Sequence, residues 1–481
     1  MTAFRTPLTG HSWIQEPYLA FHPERDQDHS RHPLQGLVEY GPYSQAILQR
    51  VTDPIRVAVI APAGELGRVD ALLRELEGRH QPRERKQYLP VFLGMSRIFR
   101  VRAVAADVAA RFELPRTLDE KLAASPQPHL ILADALTRAI NQLQTVRFSF
   151  DVLLILLLQR WMPAFWGGEN EDFDLHDYLK AVTAQRNLPT QIVREDRALA
   201  YPCRCSVAWR LSIALYTKAG GIPWKLVSTE TDTAFIGLSY ALRPRPGGSH
   251  FVTCCSQVFN ADGTGLEFIA YSPSDVEVEV VNGKNPFLTR TATQRVMSRS
   301  LSLYQQRHGG SIPRRIVVHK TTEFKSDEVD GCFDVLRATE AIDLVQIQQD
   351  TAWRGVLFER PRSGAKARPG AYPMLRGSYL PLGGREVLLW TQGDAPDAVE
   401  SAHYFKEGKG IPAPLLLRRF AGHGGWEQSC RDVLGLTKMD WNTDNLYDRL
   451  PVTIGFAQTL ARVVKRLDRI GSQPFQFRLF M

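Results

Sequence analysis

The run IRVAVIAP, Ile55 to Pro62, constrains the fold more than any other stretch. It is apolar on both faces and rich in β-branched residues, and a proline ends it, so it reads as a strand buried on both sides. The segment ELGRVDALLRELEG follows and places Leu66, Val69, Leu72, Leu73 and Leu76 on one helical face. A doubly buried strand feeding an amphipathic helix is the unit of a parallel sheet. HLILAD, His129 to Asp134, reads as another buried strand, and FSFDVLLILLLQRW, Phe148 to Trp161, contains a third. The expected class is therefore α/β.

Further along, GENEDFD (Gly168 to Asp174) reads as a loop entering a helix over His176 to Gln185, with Asp172 or Asp174 as the cap. Leu188 to Val193 is a turn entering a strand, and a helix over about Val207 to Lys218 stops at Ala219-Gly220-Gly221. From near Thr231 the pattern changes. AFIGLSYAL, FVTCCSQVF and GLEFIAYS are consecutive strands joined by glycine-containing turns, which predicts an antiparallel meander. RRIVVHKT is a later strand. LPVTIGFAQTLARVVKRLDRI is an amphipathic helix with Ile454, Ala457, Leu460, Ala461, Val464 and Leu467 inward, and with Arg462, Lys465, Arg466 and Arg469 outward or lining a groove. Residues 1–50 read as an extended lead-in, and Pro361 to Pro373 as a basic connector loop.

At roughly 150 residues per domain, 481 residues predict two to four domains. Lys and Arg number 59 against 51 Asp and Glu, and the resulting charge of +8 favours a polyanionic partner, although a bland basic surface gives the same balance. The six cysteines form no CxxC pair, which argues against structural zinc and for reduced thiols. The start MTAFRTPLTG lacks an apolar signal core, and the longest aliphatic run, Val152 to Leu158, falls far short of the roughly 20 residues a bilayer span needs. A cytoplasmic location is expected.

Three segments together resemble the MID and PIWI half of an Argonaute. They are LPTQIV (Leu188 to Val193) with LYTKAGGIPWKL (Leu215 to Leu226), then AFIGLSYAL, then LTKMDWNTDNLYDRLPVTIGFAQTLARVV (Leu436 to Val464). The openings EPYLAFHP and LVEYGPYS are similar to those of short prokaryotic Argonautes. The resemblance covers nearly the whole chain and leaves no room for separate N and PAZ domains. It implies a lead-in over 1–50, a Rossmann-like MID domain over 51–229 and an RNase H-like PIWI domain over 230–481.

A 5′-phosphate carries about 1.5 to 2 negative charges and needs converging donors. His176 and Lys180 stand four apart on one helix, Gln191 offers an amide on the next turn, and Lys218 sits at a helix end. The resemblance implies that these four bind a guide 5′-phosphate. His176 stands where the family more often has Tyr, and Ala214 where many members have a further Lys, with Arg210 a turn earlier. The resemblance also implies a structural Mg2+ at that phosphate, held by Gln191 and the carboxylate of Met481. Slicing in PIWI domains depends on an acidic tetrad that clamps two metal ions. The matching positions here carry Ser239, Thr321 and Gln458, which cannot hold two dications, and Lys320 is expected to repel them.

What the resemblance implies is a non-slicing protein of prokaryotic defence. It binds guide RNA and target DNA and activates an APAZ-domain effector in a partner chain. A sirtuin-type NADase is favoured on the LYTKAGGIPWKL region, with TIR and nuclease effectors as the other types. Two further readings stay open. One is an RNase H-like nuclease with unusual ligands, drawing on acids such as Glu267, Asp327 or Asp330; the other is a small-molecule sensor, which predicts a closed apolar pocket.

Overall fold

The computed structural model describes the chain except residues 1–9, 48–50, 170, 229, 231, 246–247, 272–277, 282–284, 360–367, 400–409 and 467–473. Two sheets organise it. The first is parallel and is built around β1 (Ile55–Pro62). Helix α1 (Leu66–Glu75) follows β1, and β2 (Ala103–Ala105) and β3 (Arg111–Leu114) share its outer edge. Helix α2 (Pro128–Gln144) leads to β4 (Val152–Leu157) on the inner edge, and helix α3 (Leu175–Gln185) to β5 (Thr190–Arg194) beyond it. Val57 to Ile60 and Leu153 to Leu156 are fully buried, as expected for strands covered on both faces.

One expected element is of the wrong type. His129 to Asp134 lies inside α2 and not in a strand. The apolar run HLIL hides a helical period: His129, Leu132, Ala133, Leu136, Ala139, Ile140 and Leu143 are buried, while Leu130 is 48% exposed. Short apolar runs do not discriminate strand from helix; here Pro128 in the first turn and the length of the periodic stretch decide for helix.

Helix α4 (Arg204–Lys218) leads into the second, ten-stranded sheet. The expected meander is present: β6 (Thr233–Arg245), β7 (Gly248–Asn260) and β8 (Gly265–Tyr271) pair antiparallel in sequence order. Helix α5 (Arg290–Arg307) precedes β9 (Arg315–Lys320), which pairs parallel with β6. Helix α6 (Ser326–Val335) precedes β10 (Ala341–Gln348), parallel to β9, and β11 (Leu415–Ala421) pairs antiparallel with β10. Helices α7 (Trp426–Leu436) and α8 (Val452–Val464) follow. The order β8-β7-β6-β9-β10 thus places the parallel strands at the sheet centre. Helix α8 lies directly on β6: a Cβ at Gly237 would sit 2.1 Å from the Thr453 carbonyl oxygen, so only glycine permits this approach.

Residues of the lead-in are more structured than an extended segment. Pro33–Tyr40 is a helix, and Ser12–Trp13 adds an edge strand to the large sheet by pairing with Ser378–Pro381. Buried Glu16 fixes the connection, receiving Arg376 and Lys438 at 2.6 Å each. The connector ending at Pro373 is partly a hairpin, because Arg368–Pro373 pairs with Val356–Glu359, while residues 361–367 lie outside the described residues. Leu467 and Arg469, expected on the last helix, and the side chains of Cys254 and Cys255 also lie outside the described residues. Cys203, Cys205, Cys332 and Cys430 are free thiols, all buried. Among the described residues no helix is long and apolar enough to cross a membrane.

The two sheets meet at a seam. Ala181 and Ala184 of α3, Phe268 and Ala270 of β8, Leu460, Val463 and Val464 of α8, and Leu479 and Phe480 form one apolar cluster there. The candidate site lies along this seam.

Candidate functional site

Helix α3 starts where Asp174 accepts the Asp177 amide at 3.1 Å, an ordinary N-cap. Its periodicity places His176 and Lys180 one turn apart, but their environments diverge. Lys180 is buried; its Nζ donates to the Thr190 carbonyl at 2.7 Å and to the Met481 main-chain oxygen. His176 is more than half exposed and lies 3.3 Å from Asp177 Oδ1, while Asp177 Oδ2 lies 3.3 Å from Arg462 Nε on α8. Gln191 stands on β5 beside Thr190. Its Nε2 donates to the Ile192 carbonyl at 3.0 Å, and its Oε1 is buried without a partner. Lys218, the last residue of α4, is 1% exposed and donates to Asn442 Oδ1 at 3.3 Å. Lys180 and Met481 are thus neighbours, Gln191 follows Thr190 along β5, and Lys218 is near enough for its charge to act on Lys180. His176 stands at the rim on its Asp177–Arg462 bridge.

The electrostatics of the two lysines are those of an incomplete site. Burial, and then the charge of Lys218, hold the Lys180 ammonium far below its usual range. Burial pushes Lys218 down to about 7, with the Asp440 carboxylate opposing. Neither lysine forms an ion pair with an Asp or Glu among the described residues. Burial disfavours the charged state of each ammonium group, the charge of Lys218 adds to this at Lys180, and a bound anion would reverse it.

Two groupings could hold a cation. The Met481 oxygen, which accepts from Lys180, and the unpartnered Gln191 Oε1, one residue past Thr190, are hard oxygen ligands of the kind a magnesium ion takes. Asp174, His176 and Asp177 bring one ligand atom each within 4.8 Å of one another. In that trio Asp174 already caps α3 and Asp177 already holds Arg462.

Across the seam, the side chains at the central strands divide by face. Strand pairing sets Gly237 beside His319, so residues at odd numbers here face α8 and those at even numbers face α5 and α6. Ser239 is on the α8 face, its Oγ buried without a partner; Thr321 is exposed just past β9, and Gln458 is half-buried on α8. His319 bonds Thr453 Oγ1 at 2.9 Å, and burial, then the charge of Arg315, push it down to about 3, so it is neutral.

The expectation for Lys320 is corrected. It faces away from Ser239, and its ammonium is matched by Glu328 at 2.6 and 2.7 Å, with both side chains buried. Period two along a strand sends adjacent residues to opposite faces, so sequence adjacency to Thr321 misled. Glu267 pairs with Arg307, and Asp330 lies 3.9 Å from Arg290.

Sequence reasoning missed Asn442, Asp440, Asp177 and Glu328. The first two sit in the DWN of Asp440 to Asn442, a stretch already singled out, and an Asn bracketed by acids before the last helix was the available signal. Glu328 carried none, since only the fold brings α6 onto Lys320.

No family model matches the chain. It is 22% identical over 351 residues to the Argonaute protein of Aquifex aeolicus, covering 72% of this chain and 43% of that protein. Among solved structures it is similar to Clostridium butyricum Argonaute bound to a guide DNA and a 19-mer target DNA, with TM-score 0.61, 15% identity, and 95% of this chain and 53% of that one covered. The Aquifex aeolicus Argonaute with externally bound siRNA gives TM-score 0.62 at 16% identity, covering 98% of this chain and 56% of the other. The chain spans about half the length of these proteins. Its mixed α/β fold is that of the Argonaute MID and PIWI domains, and it is Argonaute-like in sequence as well as in fold.

Proposed function

We propose that this chain is a short prokaryotic Argonaute, with a lead-in over 1–50, MID over 51–229 and PIWI over 230–481. It anchors the 5′-phosphate of a guide, RNA by resemblance, and pairs it with target DNA. One observation carries the reading: two fully buried lysines, Lys180 and Lys218, lie near enough for the charge of one to act on the other, and neither forms an ion pair with an Asp or Glu side chain among the described residues. A phosphate supplies the missing negative charge, and Gln191 with the Met481 carboxylate would hold a magnesium ion against it. His176 reaches the phosphate from the rim.

The chain does not slice. Ser239, Thr321 and Gln458 support this, as does the neutral His319 on the same face. Hydroxyls and amides are poor substitutes for the carboxylates that two dications need. The output then passes to a partner chain, an APAZ-domain effector, with the sirtuin type favoured. The effector's activity is expected to require guide and matched target together.

The test is guide binding by Lys180→Ala/Lys218→Ala. Each charge-assisted contact is worth on the order of 1.5–3 kcal/mol. The double variant should lose the preference for a 5′-phosphorylated over a 5′-hydroxyl RNA. Retention of the wild-type preference would mean that the phosphate binds elsewhere.

A further inference from the structure

The parallel strands of the large sheet have two ends, and Thr321 lies just past one of them. At the other, where β9 and β10 begin, a groove of about 820 Å³ opens between the start of β10, the turn Gly422 to Gly425 and the first turn of α7. The charges bordering it are almost all matched. Asp343 and Glu230 pair with Arg315, which also holds Asp432; Glu340 pairs with Arg314; and Arg337 lies 3.5 Å from Asp334.

Arg419 is the exception. It is 7% exposed and, among the described residues, forms no ion pair. Its guanidinium lies 4.2 Å over the ring of Trp426, and it donates to the Gly424 and Gly425 carbonyls and to Ser429 Oγ, leaving Nε unpartnered. Thr339, also in the groove wall, has a buried hydroxyl without a partner. Gly425 caps α7 without a side chain, so the amides of that first turn are not bound by a capping group. The turn is built for this conformation: Gly422 has φ +111°, and a Cβ there would meet Asp343 Oδ1 at 2.0 Å.

A buried, unmatched guanidinium, an uncapped helix start and an orphaned hydroxyl on one groove all favour a negative group there. We propose that this groove binds a carboxylate, held by Arg419 and the first turn of α7, as presented by an acidic side chain of a peptide segment. A single unmatched cation fits a monoanion. The carboxylates of Glu230, Glu340 and Asp343 on the walls disfavour a phosphate dianion or a nucleic-acid backbone. The planar fork of arginine suits a carboxylate, and the groove has room for flanking residues.

The experiment is calorimetric titration of the full chain with capped glutamate (N-acetyl-glutamate amide), with a capped Ala-Ala-Glu-Ala-Ala peptide and with inorganic phosphate. To silence the other anion site, the same titrations use Lys180→Ala/Lys218→Ala. Saturable one-to-one binding of the peptide is expected in both backgrounds, tighter than capped glutamate and, in Lys180→Ala/Lys218→Ala, tighter than phosphate. Arg419→Gln should weaken it by about tenfold or more, the loss of one charge-assisted contact. Thr339→Val, which leaves the turn untouched, should weaken it by a smaller factor, and it decides the matter should Arg419→Gln fail to fold. No saturable peptide binding, or peptide binding indifferent to both substitutions, overturns the proposal. Phosphate binding as tightly as the peptide in Lys180→Ala/Lys218→Ala overturns the carboxylate assignment.

Discussion

Anchoring a phosphate on a half-neutral lysine has a pH dependence whose sign follows from burial. Lys218 titrates at about 7 in the empty chain, and a bound phosphate holds it charged. Above pH 7 the guide phosphate is already almost wholly dianionic, its second pKa being about 6. Raising the pH therefore changes mainly the protein. Between pH 7 and pH 8 the charged fraction of Lys218 falls from about one half to about one tenth, so phosphate-dependent affinity should fall roughly fivefold. Lys180, also displaced downward, adds in the same direction. The assay is fluorescence anisotropy with one RNA in 5′-phosphate and 5′-hydroxyl forms, because the ratio of their Kd values cancels contacts along the rest of the strand. A ratio that stays flat or rises from pH 7 to pH 8.5 would refute the reasoning. The stability of the empty chain must show the opposite side of the same linkage. Lys218 has a folded value below its unfolded one, so the unfolded chain binds the proton more tightly. Stability then rises with pH from about 7 toward 10.5, by about 2 kcal/mol between pH 7 and 9. Lys218→Met should flatten both profiles.

Three further outcomes are expected. The purified chain, loaded with a phosphorylated guide and a labelled complementary DNA, should leave the target whole with magnesium or manganese; a cut at one position, abolished by replacing Glu267 or Asp327, would establish the nuclease reading instead. Residues appended after Met481 should lower affinity for a phosphorylated guide, and an unchanged Kd with the fold intact would remove Met481 from the site. Lys320→Met should cost about 3–5 kcal/mol in chemical denaturation by stranding Glu328, and Lys320→Met/Glu328→Met should recover most of it; equal losses in the single and double variants would contradict the pairing.

What was legible in the sequence followed periodicity. β1 was readable as an unbroken apolar run, α1 because it has one clean period, and the meander β6 to β8 because its turns carry glycine. The misreading of His129 to Asp134 came from judging six residues when the deciding period runs over the whole of α2. For the site, the lysines were legible and their burial was not. Lys180 and His176 share a helix, yet the α8 and Met481 contacts that bury one and leave the other at the rim come from distant parts of the chain. Glu16, Glu328 and Arg419 were invisible for the same reason, since each gains its meaning from a partner, or the lack of one, supplied by folding.

The chain itself provides the control for this argument. Where it has to bury cations for structure alone, it places an acid between them. Glu16 lies between Arg376 and Lys438, and although burial opposes its ionisation, the two cations hold its carboxyl below the usual range. Lys320 has Glu328, and Arg315 has Asp343 and Asp432. Those clusters are electrostatically closed and have nothing left to offer a ligand. Lys180 with Lys218, and Arg419, are likewise buried but form no ion pair with an Asp or Glu side chain among the described residues: Asp440 acts on Lys218 only from farther away, and Lys180 meets the Met481 oxygen. A buried cation without a counter-ion costs several kcal/mol, which a structure-only role gives no reason to retain, whereas a ligand that brings the anion recovers it on binding. The positions where this fold leaves positive charge unmatched are therefore the places to look for what it binds: a phosphate at the seam between the sheets, and a carboxylate at the far end of the larger one.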